Sequence, residues 1–249
     1  MSLILNVITG EGFWILALMA FLAGMVRGFS GFAAALVFMP VAAQMLPPYS
    51  ALATLVSMDA LSRLPLLPIA KDEGKMRDVL LLGLGALVTV PIGVVLVGAL
   101  GPEGFRYGLS LISVLLLLLL ASEIRNPGRI NDPILYGTGA ITGLLAGVAG
   151  MPGVALVRLY VPKTRPKGVV RANITLFLLL CALLVLGMMY WRGNLDWASV
   201  AAGAVLVFPY LIGNIAGQRV FRKEMKQIFR FAAYAAVLLS VVISLPVFD

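Results

Sequence analysis

The sequence contains no histidine and a single cysteine, Cys181, and only 12% of its residues are charged. Without histidine there is no imidazole general base, no His-ligated zinc and no axial histidine for haem, and one thiol cannot close an intramolecular disulfide. Most membrane-embedded enzyme chemistry is excluded with them, and no nucleophile and base cluster together, so neither catalysis nor a metal or other cofactor is expected. Charge is also too scarce for a water-soluble globule, which usually carries about twice as much.

What the chain has instead is apolar length. Its 249 residues are 61% hydrophobic with a mean hydropathy of +1.03, and runs of apolar residues long enough to cross a bilayer recur from end to end. This composition describes an all-α polytopic membrane protein. The first residues, MSLILNVITGEGFW, lack a positive n-region and a small-residue cleavage site, so they are expected to remain in the mature protein. The net charge of +8 lies in short loops between apolar runs rather than on one aromatic-rich face, which argues for topology signals and against nucleic acid.

Breaks at charged or Pro/Gly-rich positions divide the chain into segments at 13–46, 50–70, 78–100, 104–122, 133–162, 169–191, 196–218 and 228–246. The first and fifth are longer than a single crossing requires, and glycine interrupts both. Gly28-Phe29-Ser30-Gly31 with Pro40 has the internal spacing of Gly150-Met151-Pro152-Gly153 with Pro162, at a constant offset of 122 residues. Ala53-Thr54-Leu55 faces Ile174-Thr175-Leu176, Gly85 to Pro91 keeps the spacing of Gly203 to Pro209, and Phe105-Arg106 pairs with Phe229-Arg230. The chain therefore divides into two copies of one four-segment unit, residues 1–124 and 125–249.

Loop charge orients the copies. If every segment crossed once, Lys71, Lys75, Arg77, Arg125, Arg129 and Arg192 would face ten cations on the other side, a weak bias. If the first and fifth segments are re-entrant hairpins, only Arg106 and Arg192 stand apart and the other fourteen loop cations share one face, as short cytoplasmic loops require. A hairpin plus three crossings inverts the second copy, places both termini in the periplasm and opens the hairpins to opposite faces. The competing structure is one long, glycine-kinked helix in each half. Trp14, Trp191 and Trp197 then fall on a periplasmic aromatic belt.

Irregular backbone at membrane depth must line a cavity or be buried in protein. At each turn a new half-helix starts, with Ser30 placed to cap the first and Pro152 suited to the start of the second. Their unsatisfied N–H groups favour an anion, and the candidate substrate-binding set is Arg27, Gly28, Phe29, Ser30, Gly31, Gly150, Met151, Pro152 and Gly153, with Thr54, Ser57, Asn173 and Thr175 as further donors. Asn214 belongs with those donors, although interhelical hydrogen bonding is the commoner use of such side chains. Arg27 is either a counter-ion for the substrate or a plug for carbonyls at the end of its half-helix. Arg158 either serves the same site or snorkels to the cytoplasmic surface.

Asp59 and Arg63, at i and i+4, form an internal ion pair or a proton-coupling site; Asp59 is read as the only acid within a span. Leu180 and Leu184 fill the matching positions of the second half, and Cys181 reads as a small packing residue.

The GFSGF motif with Pro40, the LLAGVAGMPG motif with Pro162 and the repeated four-segment plan resemble the TauE/SafE family of sulfite and organosulfonate exporters over nearly the whole chain. The resemblance implies a secondary transporter of a small sulfur-containing anion across the bacterial inner membrane. Export is the expected direction, proton coupling through Asp59 is one drive left open, and a passive anion channel on the same scaffold is the alternative. No nucleotide-binding loop is present to supply ATP as the drive. The partners expected are the lipid bilayer and the anion, and a homodimer is left open. Phe32 and Ala33 after Gly31, and Met151-Pro152 in the second turn, depart from the more glycine-rich form of the family motif and imply a narrower site.

Overall fold

A computed structural model describes residues 12–30, 33–121, 131–160 and 166–220 of the chain, and every regular element among them is helical. The helices are α1 (Phe13–Ser30), α2 (Ala34–Met45), α3 (Pro48–Arg63), a 3-10 turn (Leu64–Leu66), α4 (Leu67–Glu73), α5 (Met76–Ala121), α6 (Asp132–Ala149), α7 (Pro152–Tyr160), α8 (Lys167–Trp191) and α9 (Trp197–Val220). Four helical stretches are long and apolar enough to cross a membrane: Pro48–Glu73, Met76–Leu116, Lys167–Trp191 and Trp197–Arg219. The protein is thus a multi-pass membrane protein. The eighth segment at 228–246, the Phe229-Arg230 pair, Gly31 and the cations from 125 to 129, at 163 and 165 and from 222 onward lie outside the described residues.

The second sequence segment is not one rod: α3 stops at Arg63, and Pro65 and Pro68 carry the chain through a 3-10 turn into α4. Helix α5 is broken at Gly101, where φ is +66° and ψ 177°. A side chain there would meet nothing within 4 Å, so glycine is needed for the backbone angle alone, and Pro102 restarts the helix. The break divides α5 into limbs at 76–100 and 102–121. Arg106 on the second limb reaches the end of α2, its Nε donating to Ala43 O and its Nη2 to Gln44 O, both at 3.2 Å. It satisfies carbonyls that the helix end leaves open.

Two seams of small residues bring helices together at backbone distance. On one, Gly24 and Gly28 of α1 lie against the α9 backbone at Tyr210 and Asn214, and Gly213 and Gly217 of α9 lie against Phe21 and Met25. On the other, Gly139, Gly143 and Gly147 of α6 meet Leu82, Ala86 and Val90 of α5, with Gly85 and Gly93 facing back. Lipid offers helices no hydrophobic reason to associate, so close approach and dense packing must do so, and small residues permit both. The pairing is reciprocal: the opening helix of each glycine-broken segment packs on the third segment of the other half. Gly28 was expected to belong to a turn, but α1 runs on to Ser30 and Gly28 serves the α1–α9 seam.

The ends of these helices also meet. A side chain on Gly12, just before α1, would collide with Met45 at the end of α2. At the start of α5, Arg77 Nη2 donates to Asp132 Oδ2 at the start of α6 at 2.7 Å, and Asp78 accepts from Tyr160 Oη at the end of α7 at 3.2 Å. Asp78 corrects the expectation that Asp59 is the only acid within a span: it is 5% exposed in the first turn of α5 and also faces Asn173 Nδ2 at 3.4 Å. Its neighbours lie 82 and 95 residues away in sequence, which hides them from local reading.

Gly213→Leu should disrupt the α1–α9 seam and lower the thermal midpoint of the purified protein by about 4 °C or more, whereas Gly187→Leu, where a side chain meets open space, should leave it within about 1 °C. A fluorescence thermal-shift comparison of the two variants checks this.

Candidate functional site

Three ionisable residues of the first half, Arg27, Asp59 and Arg63, meet in one cluster. Asp59 accepts from Arg63 Nε at its Oδ2 (2.9 Å) and from Arg63 Nη2 at its Oδ1 (3.2 Å), the fork geometry that an i, i+4 pair allows. Arg27, from the last turn of α1, brings its Nη1 to Asp59 Oδ1 at 2.6 Å and to Ser62 Oγ and Tyr210 Oη at 2.7 Å each. Tyr210 Oη in turn donates to Asp59 Oδ1 at 3.0 Å, while its ring lies 5.4 Å from the Arg27 guanidinium carbon. Ser62 Oγ also donates to Asp59 O at 2.6 Å.

Helix geometry explains the convergence. Arg27 and Arg63 both sit in last turns, where the carbonyl ends of the helix dipoles favour cations. The glycine seam draws α9 close enough for Tyr210 to enter the cluster. Both guanidinium side chains are nearly sealed, 7% and 6% exposed, whereas the Asp59 side chain is 26% exposed. The carboxylate is therefore the accessible face of the cluster and the arginines stand behind it.

That face opens on a cavity of about 40 Å³. Ala34, Ala35 and Leu36 at the start of α2 line one side, and Gly150, Met151, Pro152 and Gly153 at the start of α7 line another, with Asp59 and Arg63 between them. Leu178, Cys181 and Val185 of α8 close the apolar wall. Gly150 ends α6 in the left-handed conformation (φ 65°, ψ 21°), which is what requires glycine there; a side chain would also press on the tip of Leu55. Pro152 opens α7 as its fixed φ suits. The first-turn N–H groups of a helix have no partner within it, so the starts of α2 and α7 turn the positive ends of their dipoles toward the cavity that Asp59 and Arg63 also line.

The expected donors fall in different places. Asp59, Arg63, Gly150, Met151, Pro152 and Gly153 come together around the cavity, and Arg27 stands behind Asp59. Ser30 was expected to cap the first returning half-helix; it is instead the last residue of α1, and Ala33 holds the N-cap position of α2 with no side-chain cap bond. The backbone of Phe29 also belongs to α1; the side chains of Phe29, Ser30 and Arg158 lie outside the described residues.

Thr54 donates to Ser199 O across the α3–α9 contact, Ser57 to Ala53 O and Thr54 O on its own helix, and Thr175 to Arg171 O. Asn173 joins Tyr160 and Asp78 and accepts from Lys75 N. None of these four lines the cavity. Asn214 accepts at its Oδ1 from Gln218 Nε2 one turn on. Sequence reasoning did not single out Tyr210, which looks like any span aromatic, or Ser62. It read Cys181 as packing alone, although the residue also lines the cavity. Only the i+3 position of Ser62 from Asp59 offered a hint.

The family model of the sulfite exporters TauE/SafE matches residues 16–244, which takes in both glycine motifs and the whole cluster. The chain belongs to the TauE/SafE family. Its members are membrane transporters of the sulfite exporter type. No curated protein and no solved structure matches it.

Tyr210→Phe removes a donor to Asp59 and an acceptor for Arg27, and it should destabilise the protein by roughly 1–3 kcal/mol, read as a lower unfolding midpoint in detergent. Thr54→Val, one hydrogen bond from the cluster helix to a distant carbonyl, should cost no more than about 1 kcal/mol in the same assay.

Proposed function

We propose that this TauE/SafE member is a secondary transporter that exports a small sulfur-containing oxyanion through the cavity at the starts of α2 and α7. The observation that carries the proposal is the convergence of two half-helix starts and the Arg63–Asp59 fork on one cavity at membrane depth. The cavity volume favours sulfite over a long-tailed sulfonate. A buried water needs on the order of 10–15 Å³ on this measure, so about 40 Å³ admits a compact oxyanion and little more. Asp59, in contact with both arginines, is the group we assign to coupling with the proton gradient.

The proposal includes the inverted-repeat topology with two re-entrant hairpins, α1–α2 and α6–α7, in the bacterial inner membrane with both termini periplasmic. The meeting of helix ends supports it. Gly12 and Met45 put the start of α1 beside the end of α2, and Arg106 ties that end to the α5 limb beyond Gly101. Arg77 and Asp78, at the opposite end of the first α5 limb, touch the start of α6 and the end of α7. That limb is about 37 Å long at 1.5 Å per residue, so two hairpins opening at its two ends open to opposite faces.

In proteoliposomes, sulfite transport should saturate and show counterflow, which a passive channel lacks. Arg27→Gln and Arg63→Gln should each weaken sulfite binding by about tenfold or more, the loss expected on removing a charge-assisted hydrogen bond. Wild-type affinity in both would remove the cavity as the site. Asp59→Asn should abolish the dependence of transport on an imposed pH gradient, and a retained dependence would exclude Asp59 from coupling. In a Cys181→Ala background, an impermeant maleimide added to whole cells should label Glu103→Cys and Arg192→Cys, and should reach Lys75→Cys and Lys167→Cys only after permeabilisation.

A further inference from the structure

We propose that Asp59 is a built-in stand-in for the transported anion: it occupies the arginine fork while the carrier is empty and gives up Arg63 when the substrate arrives. The inference rests on the anion-site reading above and adds to it what the empty protein does with two buried cations.

Exposure gives the first argument. An anion entering the cavity meets the Asp59 carboxylate at 26% exposure before either guanidinium, at 7% and 6%. A fixed carboxylate in that place would repel the substrate, so it either blocks the site or moves. Coordination gives the second. Oδ1 takes bonds from Arg27 Nη1, Arg63 Nη2 and Tyr210 Oη, and Oδ2 takes Arg63 Nε, which is the fork arrangement an incoming oxyanion would seek. The carboxylate already sits in the substrate's place.

A path of retreat is present. Arg63 lines the cavity and Arg27 does not. When a substrate takes Arg63, Asp59 keeps Arg27 and Tyr210 on its other side. Asp59 and Arg63 stand one turn apart on α3, so the exchange of partners needs side-chain rotation and no helix movement. Tyr210, bonded to both Arg27 and Asp59, is the positioning residue that holds the carboxylate on the Arg27 side.

Charge accounting explains the purpose. Two cations against one anion leave a net +1 in the empty cluster, and a bound oxyanion cancels it. Without Asp59 the empty carrier would hold two bare buried guanidiniums, a state expensive enough in low dielectric to hinder its return. Exchange of anion for anion never visits that state, whereas net export visits it in every cycle. The carboxylate therefore matters for the empty half of the cycle and competes with substrate in the loaded half.

The test uses full-length wild-type protein and Asp59→Asn in proteoliposomes, with radiolabelled sulfite under anaerobic conditions, and measures binding, sulfite–sulfite exchange and net efflux separately. Asp59→Asn should bind sulfite about tenfold tighter and raise the ratio of exchange to net efflux by about tenfold or more. Equal or weaker binding, or a parallel fall of exchange and net efflux, overturns the stand-in role while leaving the anion site in place. Failure of the site itself has a different signature, wild-type sulfite binding in both Arg27→Gln and Arg63→Gln. Should Asp59→Asn fail to fold, Tyr210→Phe takes its place: it frees the carboxylate from the Arg27 side and leaves it on Arg63, so it should weaken sulfite binding and lower the ratio of exchange to net efflux by about threefold. An unchanged ratio in Tyr210→Phe would count against the proposal as strongly.

Discussion

One carboxylate holds two guanidiniums from different helices in a medium that tolerates neither sign alone. Arg27 on α1 and Arg63 on α3 would each cost roughly 2.5–3.5 kcal/mol at the bilayer centre on an insertion scale, and Asp59 answers both. The rest of the site follows from that demand. Helix α9 must approach α1 closely enough for Tyr210 to join, Ser62 must face inward, and the chain must turn away after Arg63 through Pro65 so that the last turn of α3 ends at the cluster. A charged centre in lipid is costly to build and is rarely kept for stability alone, which is why its exposed edge on a cavity reads as function.

Glycine does a second, separate job. At Gly150 and Gly101 the backbone needs a positive φ, which other residues adopt with strain. Along α1, α6 and α9 the glycines are ordinary helical residues whose missing side chains let backbones touch. The two jobs look alike in a sequence. Gly28 shows the difference: it stands in the first glycine motif, yet it belongs to the helix seam, and its offset partner Gly150 is the true left-handed terminus.

This difference marks how far the sequence could be read. Periodicity and apolar length placed most helix boundaries within a few residues, because in lipid every backbone group must be satisfied inside a helix and the pattern is strong. The Asp59–Arg63 pair was legible because four residues make one turn. Pro152 at the start of α7 was legible for an equally local reason. Arg27 was left between two roles, since its partners are 32 and 183 residues away and only packing brings them near. Tyr210 carried no local sign at all. Asp78 was hidden by its place at a segment edge, where a carboxylate normally meets water, and Tyr160 and Asn173 instead enclose it. Ser30 misled because capping is a rule about the residue before a helix, and α1 extends one motif further than its glycines suggest.

The reciprocal seams also have a consequence for biosynthesis. Helix α1 leaves the ribosome long before its companion α9, which starts at Trp197, so the intervening chain must be made before Gly24 and Gly28 find the backbone they are shaped for. Until then Arg27 lacks its phenol neighbour, and the α1–α2 pair waits as an unfinished wall. Helix α6, by contrast, emerges after its companion limb of α5 and can dock at once. The nascent protein should therefore close from its middle outward, and a ribosome stalled before Trp197 would leave a chain that has most of its apolar mass and no α1–α9 seam.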